Sequence, residues 1–131
     1  MKPHEVEIRV YYEDTDLAGI VYYANYLKFI ERGRTEMIRA LGVDQMRLRA
    51  DAGIVFAVRR VAADYLIPAR FDDILSVETA LLQVTGARIT LDQRVRRGSE
   101  TLFQAEITLV CLKDTGRPAR IPADIRRKLG L

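Results

Sequence analysis

Between residues 25 and 41 apolar side chains return at the helical period, while in most of the remaining chain they return every second residue. Tyr26, Phe29, Ile30, Gly33, Met37, Ala40 and Leu41 fall at i, i+3, i+4, i+7, i+11, i+14 and i+15, one stripe of a helix of about four turns. Asn25 is the expected N-cap, and Gly42 the expected residue just past the C-terminal end. The opposite face carries Lys28, Glu31, Arg32, Thr35, Glu36 and Arg39, with Arg32 and Glu36 spaced to pair at i,i+4. Gly33 within the apolar stripe costs about 1 kcal/mol of helix propensity against Ala. It therefore implies a close approach at that point, most simply by a sheet strand.

Period two dominates on either side. Val6, Ile8, Val10 and Tyr12 alternate with Glu7, Arg9 and Tyr11, which predicts a first strand with one buried face. Residues 43–53 form a connection or short second helix ending at Gly53. Strands are expected over 54–67, broken at Pro68, and over 74–84, ending at Thr85-Gly86. Ala87, Ile89, Leu91, Gln93 and Val95, then Phe103, Ala105, Ile107, Leu109 and Cys111, mark the inward positions of two more strands joined at Arg97-Gly98-Ser99-Glu100. Short glycine-containing turns imply an antiparallel meander, and residues 122–129 suit a short terminal helix. The expected fold class is α+β, one domain over 1–131, with a sheet of about five antiparallel strands wrapped around one long helix, the sheet covering Tyr26, Phe29, Ile30, Met37 and Leu41 of that helix together.

Composition narrows the function. The chain has 131 residues and is 49% hydrophobic, enough to bury a core without disulfides or a structural metal. A net charge of +3 is far from the basic excess of a nucleic-acid binder, and the basic strands carry almost no interleaved aromatics, so no nucleic-acid partner is expected. The positive surplus lies after Ala57, where 13 basic residues face 9 acidic ones, against 8 and 9 before it, which allows a local anionic partner. One cysteine, no apolar run of about 18 residues and a polar N-terminus predict a cytoplasmic protein with no integral membrane segment.

The chemistry is concentrated in Tyr12-Glu-Asp-Thr-Asp-Leu-Ala-Gly-Ile-Val-Tyr-Tyr-Ala-Asn-Tyr26, where three carboxylates, a glycine and four tyrosines lead into the helix. A carboxylate beside the unpaired N–H groups of a helix start suits a reacting carbonyl oxygen. Ser–His–Asp and Cys–His sites need an imidazole, and the only histidine, His4, is expected in a frayed terminus. Cys111 sits at an inward strand position and reads as a small core residue. Glu13, Asp14 and Asp16 lack the spacing of a calcium loop, and no metal is expected. An aspartate acting on an activated carbonyl such as a thioester can attack directly, giving a mixed anhydride, or deprotonate a water. From the residues alone, Asp14 or Asp16 reads equally well as a cap or turn residue.

The run from Tyr11 to Met37 closely resembles the signature of the YbgC and 4-hydroxybenzoyl-CoA thioesterase family. Phe56-Ala-Val-Arg-Arg60, Asp64-Tyr65 and Pro68-Ala-Arg-Phe-Asp-Asp-Ile74 are similar to later blocks of the same family. The resemblance covers nearly the whole chain and implies a hotdog fold. It further implies hydrolysis of acyl- or aroyl-CoA thioesters to the free acid and coenzyme A, by dimers or tetramers with the site at a subunit interface. By that resemblance Asp16 is the nucleophile or general base, and Asp14 and Thr15 support its turn. Tyr23 lines the substrate site at a position where the YbgC branch usually has histidine. A backbone N–H near Val55 or Phe56 resembles the oxyanion donor. Arg88, and more weakly Arg59 and Arg60, suit the phosphates of coenzyme A. No cofactor is implied beyond the coenzyme A of the substrate, and acyl-carrier protein is an alternative donor. A non-catalytic acyl-CoA or acyl-carrier binding module, or a dehydratase of the same fold, are the rival readings. The dehydratase commonly pairs a histidine with its carboxylate.

Overall fold

The computed structural model describes residues 2–130. Among them, strand β1 (His4–Arg9) leads through one 3-10 turn (Tyr12–Asp14) to helix α1 (Asn25–Ala40) and a shorter helix α2 (Gln45–Ala52). Strands β2 (Ile54–Tyr65), β3 (Ile74–Val84), β4 (Arg88–Arg97) and β5 (Glu100–Lys113) follow, and helix α3 (Ala123–Lys128) closes the order. All neighbouring strands run antiparallel in the order β1-β3-β4-β5-β2. The sheet curls around α1, which lies across β1, β3 and β4. This is the hotdog fold.

The alternation read from β3, β4 and β5 decides which face meets the helix. Leu75, Val77, Ile89, Leu91, Val95, Phe103, Ile107 and Leu109 are buried against Phe29, Ile30 and Met37 of α1. Leu41 is half-buried at the margin of that core. The close approach implied by Gly33 is found: a Cβ built there would stand 2.6 Å from Val77 Cγ1 and 3.1 Å from Thr79 Oγ1. Beside it, the buried Gln93 amide donates to the Ile30 carbonyl and to Thr79 Oγ1, both at 2.8 Å, and accepts from Arg34 at 2.9 Å. Burial lowers the Arg34 pKa, an effect that Glu31 nearby partly offsets.

Several local expectations need correction. His4 is not frayed: it opens β1 opposite Thr79, with a buried Nδ1 that has no hydrogen-bond partner among the described residues. Regular strand ends at Arg9, so Tyr12 is exposed in the 3-10 turn instead of facing the core. Asn25 does not cap α1. It is the first helical residue, buried, and its side chain donates to the Asp14 carbonyl at 2.8 Å. Glu36 pairs with Arg39, one turn on, in place of Arg32. By contrast, Gly42 and Gly53 stand in the left-handed region at φ +86° and +64°, just past α1 and at the end of α2.

The sheet has one unusual edge. Val58, Val61 and Tyr65 of β2 face Leu109, Ile107 and Phe103 of β5 directly, so they share the inner face with those buried residues. They are nevertheless 47%, 41% and 49% exposed, because α1 lies over β1, β3 and β4 and meets the side chains of β2 at Tyr65, whose ring touches that of Tyr26.

Candidate active site

The segment between β1 and α1 is held by its own polar groups. The Asp14 carboxylate accepts from Tyr11 N–H at 2.8 Å, and Thr15 Oγ1 donates to the Tyr12 carbonyl at 2.8 Å. Thr15 bridges Val21, Asp16 N–H donates to the Ile20 carbonyl, and Gly19 (φ +79°) donates back to the Asp16 carbonyl. The result is a tight hairpin with Asp16 at its shoulder. Val21 N–H bonds Ala69 and Ile20 bridges Arg70, which fastens the hairpin to the loop before β3. The Asp14 carbonyl accepts from both Tyr22 N–H and the Asn25 side chain. Asp14 and Thr15 are therefore supports of this turn.

Asp16 itself keeps reactive capacity. One carboxylate oxygen accepts from Ala18 N–H at 2.9 Å, and the other has no hydrogen-bond donor among the described residues. The side chain is exposed in an open hollow of about 710 Å³ lined by Tyr12, Thr15, Leu17, Gly19 and Phe71. Leu17, Tyr12 and Phe71 are all exposed, an apolar rim around a carboxylate. The chain enters α1 nine residues on, and just before it the N–H groups of Tyr23 and Ala24 have no acceptor among the described residues. They are free donors at the positive end of a helix of 16 residues.

Tyrosines frame this helix start. The Tyr23 side chain is 61% exposed, with its ring 4.9 Å from that of Tyr22 and 6.2 Å from that of Tyr65. Tyr65 donates from its hydroxyl to the Tyr23 carbonyl at 3.1 Å. Tyr26 is buried, stacks on Phe103 at 5.0 Å and accepts from Ala69 N–H, and burial pushes its phenol pKa up.

The remaining candidates lie elsewhere on the chain. Val55 and Phe56 begin β2 and, with Met46, Leu48, Arg49 and Ile54, line a separate hollow of about 260 Å³ under α2. Within one chain the Asp16 hollow and the Val55–Phe56 hollow share no lining residue. Arg59 and Arg60 are exposed at a bulge in β2. Arg88 is exposed at the first residue of β4, and its N–H donates to Thr85 Oγ1. Two arginines not singled out by sequence join it there. Arg126 donates to the Thr85 carbonyl, and the Arg120 guanidinium lies 3.4 Å from where a Cβ on Gly86 would be. None of the three pairs with a carboxylate among the described residues. The only sequence signal for this grouping was Gly86, a position that tolerates a side chain laid over it. Phe56 neighbours Cys111 on β5, and Cys111 N–H donates to Ala87, so the main chain of Ala87, next to Arg88, lies about 10 Å, two strand spacings, from that of Phe56. Cys111 is buried, and desolvation raises its thiol pKa, consistent with an inert core residue. Among the described residues no three His, Cys, Asp or Glu side chains converge as a metal site, and no helix is long and apolar enough to cross a membrane.

Comparison with known proteins bears on the whole of this arrangement. Residues 10–129 match the model of the thioesterase-like superfamily. A Haemophilus influenzae protein named acyl-CoA thioesterase YbgC is 41% identical over 121 residues, covering 91% of this chain and 88% of that one. A chloroplastic acyl-acyl carrier protein thioesterase of Arabidopsis thaliana is 30% identical over 127 residues, covering 95% of this chain and 66% of that one. The crystal structure of a Thermus thermophilus protein, 29% identical, superposes with a TM-score of 0.90 over 96% of each chain. The chain belongs to the YbgC family within the thioesterase-like superfamily.

Proposed function

We propose that the protein hydrolyses acyl-CoA thioesters with Asp16 as the reacting carboxylate. The observation that carries this reading is one short segment holding both halves of the chemistry, a carboxylate oxygen with no donor on it and two unpaired N–H groups at a helix start. Asp16 either adds to the thioester carbon, giving a tetrahedral oxyanion that expels coenzyme A as thiolate and leaves a mixed anhydride for water to cleave, or takes the proton of a water that adds there. In both routes the developing oxyanion lies against main-chain N–H groups and no imidazole is needed. Burial of the site from bulk water strengthens those contacts.

The exposed hollow of a lone chain does not supply that burial, and a second copy does. The uncovered apolar inner face of β2 and its unpaired edge suit pairing with the same strand of another copy, giving a two-fold homodimer. Such pairing brings the Asp16 loop of one protomer, with its exposed Leu17 and Phe71, toward the Val55–Phe56 hollow of its partner. Arg88, with Arg120 and Arg126, then provides a cationic rim for the phosphates of coenzyme A, with Arg59 and Arg60 as further candidates on β2. The same reading places the enzyme in the cytoplasm, where its single cysteine stays reduced.

The test is release of free thiol from a panel of aliphatic and aromatic acyl-CoA thioesters. Asp16→Asn is expected to lower kcat by roughly 10³-fold or more while the thermal unfolding midpoint stays within a few degrees. Wild-type turnover by the folded Asn variant would end this assignment. Saturable acyl-CoA binding with no thiol released by the wild type would identify a binding module instead.

A further inference from the structure

Tyr65 is the last residue of β2, far in sequence from the catalytic segment, yet its hydroxyl donates to the Tyr23 carbonyl at 3.1 Å. Its ring stands edge-on to those of Phe103 at 5.1 Å, Tyr26 at 5.5 Å and Tyr23 at 6.2 Å, while about half of the residue stays exposed. The group it contacts is half of a planar trans peptide, whose other half is the N–H of Ala24. In that plane the carbonyl of Tyr23 and the N–H of Ala24 point in opposite directions. A donor fixed on the carbonyl therefore aims the N–H the other way, and by withdrawing electron density it makes that N–H a better donor. The preceding peptide is treated alike: the Tyr22 carbonyl accepts from Asn25 N–H at 2.8 Å, and the N–H of that peptide is the free one of Tyr23.

We infer that Tyr65 is a positioning residue, which orients and polarises the Ala24 N–H as an oxyanion donor from the far end of the edge strand. The inference rests on the thioesterase reading with Asp16 at its centre. It goes beyond that reading by giving β2 two tasks, since the strand whose open edge would receive a second copy also sets the geometry of the helix start. Tyr65 touches neither the reacting carbon nor coenzyme A in this account. Its contribution passes through one peptide plane.

Tyr65→Phe separates this role from packing, because it keeps the ring and removes only the hydroxyl. With acyl-CoA substrates the variant is expected to lose about tenfold in kcat with KM within twofold, an effect confined to the transition state. In 15N-labelled protein, the Ala24 amide resonance is expected to move while that of Asn25 stays. Unchanged kcat, an unmoved Ala24 amide, or a loss of kcat accompanied by an equal rise in KM and a fall in thermal stability would overturn the assignment. Asp16→Asn run in parallel distinguishes the two claims. If that variant is inactive and Tyr65→Phe equals wild type, the Tyr65 role alone is lost. If Asp16→Asn hydrolyses normally, or the wild type cleaves no thioester, both are lost.

Discussion

Gly33 and Gln93 settle how closely α1 can rest on the sheet. At Gly33 two effects compete. Replacing it with Ala gains about 1 kcal/mol of helix propensity, while forcing a methyl into a closed core costs about 1–3 kcal/mol. The second should win, because the methyl would lie 2.6 Å from Cγ1 of Val77, a fully buried side chain whose β-branching makes it stiff at χ1. Gly33→Ala is expected to destabilise by about 1–2 kcal/mol in urea unfolding, and a higher unfolding midpoint would contradict the packing described. The glycine could be read from sequence because it interrupts an otherwise apolar stripe. Gln93 could be placed only as an inward position. That its amide would join a helix carbonyl, Thr79 and Arg34 depends on registers between β3, β4 and α1 that alternation leaves open.

At the scale of elements, the hairpins β3–β4 and β4–β5 were the most legible, since every second residue from Ile89 to Val95 and from Phe103 to Cys111 is buried. The entry to α1 was the least legible. Asn25 has the right chemistry for a cap, but, buried beside Asp14, its side-chain amide donates to the Asp14 carbonyl instead of accepting from a first-turn N–H. The β3–β4 turn illustrates what a linear reading misses: Arg88 was visible next to Thr85-Gly86, whereas Arg120 and Arg126 reach the turn only because Ile121 N–H bonds Gly86 and α3 packs below it. If this group holds coenzyme A phosphates, the double variant Arg88→Ala, Arg120→Ala should raise KM for acyl-CoA by about tenfold, as expected for lost charge-assisted contacts to phosphate. Hydrolysis of the matching acyl-N-acetylcysteamine thioester, which has no phosphates, should be unchanged. Equal losses on both substrates would mean that the arginines serve the fold.

For the whole molecule, the decisive fact is that the two hollows assigned to one reaction share no lining residue within a chain. In the proposed dimer the relation between them runs across two copies of the chain, which no reading of one sequence places. A shared site makes a prediction that separate sites cannot. Asp16→Asn removes the carboxylate and leaves the β2 hollow, whereas Val55→Trp fills the hollow and leaves the carboxylate. Each homodimer should be inactive. Unfolded together in equal amounts and refolded, about half of the dimers pair unlike chains, and each of those rebuilds one working site from the intact half of each protomer. The mixture should recover about a quarter of wild-type thiol release, with a single dimeric species by sedimentation. If mixing restores nothing while mixed dimers demonstrably form, each chain carries its own site. The Asp16 loop would then have to find its oxyanion donors at Tyr23 and Ala24 alone.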